Sequence, residues 1–185
     1  VTDDVIDDVI ETGRLRLVLV RLAALDALAA DDPATASRLM GFPVGELRPG
    51  HPRVYALRAG QVRADARVAP WLLRLVVHRT TGQVVGDVGL HDAPHDGMVE
   101  IGYSIRPEHR RRGIAIEAAA GLLSWAATQP GVTTFRASIS PDNAASLGLV
   151  RRLGFVEVGE QWDDEDGLEL VLERPAAPLG VTGSA

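Results

Sequence analysis

The chain has 185 residues, 46% of them hydrophobic and 24% charged, which fits one folded domain with a substantial core and excludes a disordered chain. It contains no cysteine, which excludes a disulfide scaffold, a thiolate zinc site and a cysteine nucleophile. The net charge of −6, carried against 19 basic residues that are all arginine, argues against nucleic acid as a direct partner, because neutralising phosphates takes an excess of cations.

Residues 1–12 set Asp3, Asp4, Asp7, Asp8 and Glu11 among isolated valines and isoleucines, which reads as an acidic arm or a short helix. Residues 13–174 read as one continuous domain. Its first strand is expected at 15–21, and a helical stretch at 23–40 is split by Asp31-Asp32-Pro33. Residues 53–67 predict a helix that Pro70 ends. Residues 71–78 and 84–90 predict a hairpin turning at Thr80-Thr81-Gly82. A polar loop at 91–97 leads to a strand at 98–105, closed by Pro107. Residues 114–128 predict a helix with Ile116, Ala119, Ala120, Leu123 and Ala127 on its apolar face, stopped by Pro130-Gly131. A strand at 132–139 follows. A second amphipathic helix at 143–153 opens with Ser140-Pro141-Asp142-Asn143 and ends at Gly154. The last strands are expected at 155–159 and 168–173, joined by an acidic loop at 163–166, and residues 175–185 read as a loose tail. The order β, αα, βββ, α, β, α, ββ joins an antiparallel meander to strand–helix–strand crossovers. The fold class is therefore α/β (α+β), with a mixed, mostly antiparallel sheet of about seven strands and about four helices. No apolar run approaches the ~20 residues that span a bilayer, and the acidic opening does not resemble a signal peptide, so a cytoplasmic location is expected.

The segment that carries chemistry runs Ser104-Ile105-Arg106-Pro107-Glu108-His109-Arg110-Arg111-Arg112-Gly113-Ile114-Ala115. A strand ends, a tight loop follows, and a helix begins at a glycine. Amides at a helix N-terminus lack partners and sit at the positive end of the dipole, which suits a phosphate or pyrophosphate. Gly113 and Ala115 let a ligand approach the backbone, and arginines add charge-assisted bonds. The spacing is R-x-x-G-x-A, which is neither the dinucleotide G-x-G-x-x-G nor the P-loop G-x-x-x-x-G-K-[ST].

This segment resembles the pyrophosphate loop of the GNAT acetyltransferases, Q/R-x-x-G-x-G/A, through Arg110, Arg111, Arg112, Gly113, Ile114 and Ala115. The strand and proline turn before it, Glu100 to Pro107, fit as well, and so does a later block, Asn143-x-x-Ser146-x7-Gly154-Phe155, which is similar to the family's N-x-x-S/A…G-F. With Glu117-Ala118 after the loop, the wording looks most like the RimJ/RimL branch, which acetylates ribosomal-protein N-termini. The resemblance covers roughly residues 13–174. It implies acetyl-CoA as cosubstrate, with Tyr103, Ser104 and Ile105 along the pantetheine arm and Asn143 and Ser146 near it. It also implies direct transfer to an amine-bearing acceptor, a protein N-terminus or a small molecule, in a ternary complex. It further suggests a homodimer.

Acyl transfer to an amine needs a neutral amine, a donor for the developing oxyanion and a proton for the leaving thiolate. Glu100 is the first candidate base, directly or through a water, although it also reads as a solvent-facing strand residue or an ion-pair partner. Glu117 is the second candidate, against the plainer role of an acid complementing the helix dipole. Many relatives carry a tyrosine acid seven residues after the block's asparagine, where this chain has Val150. Ser146 is the replacement candidate and Tyr103 a further one. The missing tyrosine keeps a CoA-binding regulatory or structural protein without turnover as an alternative. Transfer of a larger acyl group such as succinyl is another. His91, Asp92, His95 and Asp96 are metal-ligand residue types, but Pro94 lies between the histidines and the segment reads as a loop, so no metal is expected. Trp71 and Trp125 read as core, and Trp162 as a border of the acceptor site.

Overall fold

The computed structural model describes residues 8–45, 51–164 and 167–177. Residues 1–7 of the expected acidic arm, most of the expected tail, and two positions of the acidic loop at 163–166 lie outside them. Among the described residues there are eight strands and five α-helices. In chain order these are β1 (Val9–Glu11), β2 (Leu15–Leu19), α1 (Leu22–Ala29), α2 (Pro33–Met40), α3 (His51–Ala64), β3 (Leu73–His78), β4 (Val84–Leu90) and β5 (Met98–Ile105). Then come α4 (Ile114–Ala126), β6 (Thr134–Ile139), α5 (Ala144–Arg152), β7 (Val156–Asp163) and β8 (Gly167–Pro175). The strands form one sheet in the order β1-β2-β3-β4-β5-β6-β8-β7. Every pairing is antiparallel except β5 with β6, which are parallel and joined through α4.

Local chemistry explains most element ends. Asp32 caps α2 by accepting from the Thr35 amide at 2.9 Å, with Pro33 as the first helical residue, so the Asp-Asp-Pro break follows directly from capping. The expected helix at 53–67 begins earlier, at His51, and Pro70 sits in a 3-10 turn at Ala66–Trp71. The reading of residues 1–12 as an arm or helix needs correcting at Val9–Glu11, which pairs antiparallel with β2. Three residues of alternating character are too few to separate the two periods in sequence, and the neighbouring strand decides. The sheet thus gains an eighth strand beyond the expected seven.

Alternate residues on each strand face opposite sides, and each side has its own core. Leu15, Leu17, Val76, Val88, Val99, Ile101 and Phe135 pack under α4 and α5. Leu73, Leu75 and Val77 pack under α1 and α3. The sheet is therefore sandwiched, with α4 and α5 on one face and α1 to α3 on the other. On α4 the expected face is rotated. The buried residues are Ile114, Ala118, Ala119, Leu122, Leu123 and Ala126, whereas Ile116, Ala120 and Ala127 are only partly buried against the same core. This helix is apolar almost all round, so periodicity alone cannot set its phase.

Arg74 breaks the apolar pattern of β3. It is fully buried, with its guanidinium 5.1 Å from the Trp125 ring and a bond to the Pro70 carbonyl at 3.2 Å. Trp125 in turn meets Trp71 edge to face at 5.3 Å, which places both tryptophans against the core as expected. No helix among the described residues is long and apolar enough to cross a membrane.

Replacing Leu122, completely buried at the centre of α4, by Ala is expected to destabilise the protein by about 2–5 kcal/mol through lost transfer energy and a residual cavity. Urea unfolding followed by circular dichroism checks this as a lowered midpoint with an unchanged slope.

Candidate active site

β5 is held from Ile101 to Ile105 by β4, from Leu90↔Ile101 to Gly86↔Ile105. On its other edge it pairs with β6 only at Met98, Val99 and Glu100. Beyond Glu100 the two parallel strands part, and residues 101–104 lose β6 as a partner. A slot of about 470 Å³ opens in the gap. Ile101, Gly102 and Tyr103 line it from β5, and Ala137, Ser138, Ile139 and Ser140 from β6 and its end. Asn143 and Ser146 of α5 close it on one face of the sheet, and His91 and Glu169 also border it. The Ser138 hydroxyl is buried beside this slot with no hydrogen-bond partner among the described residues.

Past the end of β5 the chain makes a 3-10 turn at Pro107–His109 and enters α4. The Arg110 Nε donates to the Ile105 carbonyl at 2.9 Å, so this arginine braces the strand end. Arg111 and Gly113 both have left-handed backbone, with φ of 57° and 73°. Gly113 precedes α4 and no side chain caps the helix, so its first amides face outward beside three exposed arginines. Uncapped helix amides, a positive dipole end and exposed cations together have the chemistry that suits an anion.

The loop is fastened from the far side of the sheet. Glu117, on the first turn of α4, accepts from the Thr12 hydroxyl at 2.7 Å, the Arg14 amide at 2.6 Å and the Arg14 Nε at 2.6 Å. Arg14 Nη1 also donates to the Arg112 carbonyl at 3.0 Å. Glu117 is thus spent on the Thr12–Arg14 turn and is not among the slot residues, which removes it as a candidate base. Burial pushes its carboxyl up, but the bonds from Thr12 and Arg14 outweigh this and hold it below the usual value.

Asn143 caps α5, its Oδ1 accepting from the Ser146 amide at 3.1 Å. This cap sets the start of α5 and puts Ser146 on the slot. Tyr103 reaches across and donates its hydroxyl to the Ser146 carbonyl at 3.5 Å. Burial raises the Tyr103 phenol, against the weaker pull of that bond, so it stays protonated at neutral pH. Val150 is completely buried in the core beneath α5, so its position offers no group to the slot. Trp162 is 75% exposed on β7 and is not a slot residue.

Glu100 faces away from α4, because its neighbours Val99 and Ile101 point into the core there. Its side chain is largely buried, and its Oε1 lies 3.7 Å from Nδ1 of His91. His91 follows β4 directly, and its amide donates to the Glu100 carbonyl at 2.8 Å. The His91 carbonyl accepts from Arg58 at 2.6 Å and Gln61 at 2.8 Å, both on α3. In the sequence His91 and His95 share a polar loop whose Pro94 interrupts any metal-ligand spacing. His95 instead pairs with Asp96 on an exposed loop, while His91 turns to Glu100 and the slot. His91, Arg58, Ser138 and Glu169 were missed as site residues. The one available signal was that His91 ends a strand opposite Glu100, and reading it needed the register of β4 on β5.

The fold and slot define an α/β protein in which two neighbouring parallel strands part close to the start of the crossover helix. Residues 14–156 match the family model of the acetyltransferase (GNAT) domain, and the chain belongs to this family of N-acetyltransferases. YjdG, an N-acetyltransferase of Bacillus subtilis strain 168, is 29% identical over 157 residues, covering 80% of this chain and 89% of that protein. A GNAT-family acetyltransferase from Bordetella pertussis superposes with a TM-score of 0.62 at 24% identity, covering 90% of this chain and 98% of that one. RimJ from Mycobacterium smegmatis, solved with CoA-disulfide, superposes with a TM-score of 0.60 at 22% identity, covering 88% and 82%.

The Glu117 clasp predicts acid sensitivity. A carboxyl whose folded pKa lies below its unfolded value stabilises above the unfolded pKa, and loses that contribution as pH falls through the folded one. Glu117→Gln should therefore unfold at lower urea than wild type at pH 7, with the gap closing as pH drops below about 4. Urea midpoints across that range check it.

Proposed function

We propose that this N-acetyltransferase moves an acetyl group from acetyl-CoA to a primary amine, on a protein N-terminus or a small molecule, by direct attack in a ternary complex. The observation that carries the reading is the parting of β5 from β6 beside the slot, in line with the uncapped start of α4. The backbone of Tyr103, on the edge of β5 that β6 leaves, suits the amide groups of a pantetheine arm, with Ser104 next to it and Ile105 at the strand end. The amides after Gly113, with Ile114 and Ala115 as the first residues of α4, suit the pyrophosphate, and Arg110, Arg111 and Arg112 supply charge. Asn143 and Ser146 flank the arm near the thioester.

In this reading Glu100 is the charge that draws the proton from the amine, directly or through an intervening group. Ser146 gives a proton to the departing thiolate, and the protonated Tyr103 phenol lies close enough to share that task. A backbone amide of β5 receives the oxyanion. The attacking nitrogen bonds to the carbonyl carbon, the carbon–sulfur bond breaks, and the thiolate leaves as the free thiol. The N-x-x-S block and the Glu117-Ala118 pair favour the RimJ/RimL-like branch. A cytoplasmic homodimer accords with that branch.

A CoA-binding protein without turnover is the reading favoured by the buried Val150 where many relatives have tyrosine. Acceptor-dependent thiol release separates the two, and comparing acetyl- with succinyl-CoA fixes the acyl group. Calorimetric titration with acetyl-CoA should show micromolar binding to wild type. An Arg110→Ala, Gly113→Trp double variant should bind about tenfold or more weakly, since it loses a cation and puts a bulky side chain on left-handed backbone at the helix start. Equal affinity of the two proteins would refute the loop assignment.

A further inference from the structure

We infer that His91 is the base that takes the proton from the acceptor amine, and that Glu100 is a positioning residue acting through it. This rests on the acyl-transfer reading above and supplies the group it left open. His91 is a slot residue, whereas Glu100 is not. The imidazole lies across β5 with Nδ1 toward the Glu100 carboxylate at 3.7 Å. Its Nε2 lies over Gly102, 2.9 Å from where a Cβ at that position would sit. Gly102 therefore lets the ring edge come close to the strand at this position, beside the stretch of β5 where a thioester held by its backbone would present its carbonyl. Any larger residue at 102 pushes the ring off that spot.

The ring is also held from behind. Arg58 and Gln61 of α3 both bond the His91 carbonyl, and the His91 amide bonds Glu100, so the backbone at residue 91 is clamped on two sides. The charged and titratable groups around the ring are Glu100 and Tyr103 on β5, Arg58 on α3, Glu169 on β8 and Asp92 next in the chain. The ring is half exposed, and the water it loses on the strand side holds the imidazole below its ordinary value. Glu100 opposes that shift and Arg58 reinforces it, and the net effect is a neutral ring at neutral pH with a free nitrogen to accept a proton. The step balances without another reactant. An acceptor ammonium gives one proton to Nε2 and attacks as the free amine. The second nitrogen proton leaves with the thiolate to make the thiol, and the imidazolium returns its proton to solvent.

The test is the pH dependence of acetyl transfer, from about pH 5 to 9, with acetyl-CoA binding measured in parallel on the same proteins. His91→Gln should bind acetyl-CoA as wild type does, lose about 10²-fold in kcat, and move its acid limb upward toward the pKa of the free amine. Added imidazole should restore part of the rate to His91→Ala, and His95→Gln, on the exposed loop, should behave as wild type. Glu100→Gln separates the two assignments by sign. If His91 is the base, removing the carboxylate that raises its pKa moves the acid limb to lower pH. If Glu100 itself is the base, the limb moves to higher pH. An upward shift in Glu100→Gln, or a His91→Gln enzyme within about twofold of wild type with an unchanged profile, overturns the inference. Should His91→Gln fail to bind acetyl-CoA, the direction of the Glu100→Gln shift alone decides. A wild type with no amine acetylation at any pH would instead refute the acyl-transfer reading itself.

Discussion

Backbone amides and carbonyls at the centre of a sheet need partners, and the functional region is built around the one place where this sheet withholds them. β4 satisfies one edge of β5 from Ile101 to Ile105, and β6 satisfies the other edge only as far as Glu100. β6 does not collapse back onto β5, because its far edge is paired with β8 over six residues and Arg136 is tied to Glu173 at 2.6 Å. The gap therefore persists as a feature of the fold. In the proposed reading, an extended ligand with amide groups of its own takes up the hydrogen bonding that β6 leaves unmade.

Everything with a chemical role is placed relative to that gap. α4, the crossover that makes β5 and β6 parallel, starts after the end of β5 with no side chain capping its first amides among the described residues. The Asn143 cap fixes the start of α5 and so brings Ser146 to one wall. The register of β4 on β5 brings His91 opposite Glu100 on the sheet face away from α4. Two small residues make the close approaches possible. Gly113 takes the left-handed turn into α4, and Gly102 leaves room for an imidazole.

The carboxylates divide by the company they keep. Glu117 is saturated by three donors from the Thr12–Arg14 turn, which pulls its titration down and gives it a structural task. Glu100 meets an imidazole on the slot and an arginine beyond it, a setting in which charge can be relayed. The chain is acidic overall, yet the loop before α4 carries three exposed arginines. Net charge thus describes the molecule, and the local arrangement of amides and cations describes the anion site.

Much of this was legible in the sequence because it is local. The R-x-x-G-x-A loop, the Asp32 and Asn143 caps, the hairpin at Gly82 and the bounds of β4 and β5 depend on residues a few positions apart. What stayed hidden depends on contacts across the chain. The phase of α4 was misjudged because an all-round apolar helix takes its buried face from its neighbours. Val9–Glu11 became a strand because β2 offered an edge, and Arg74 is buried between the Trp125 ring and the Pro70 carbonyl. Glu117 and His91 exchanged standing for the same reason. One was captured by a turn 103 residues away, and the other was turned by strand register toward a carboxylate rather than toward its sequence neighbour His95. The sequence determined the class of reaction, through backbone conformations that short motifs encode. Only the tertiary structure decided which side chains stand at the reacting point, because that depends on which distant residues reach them first.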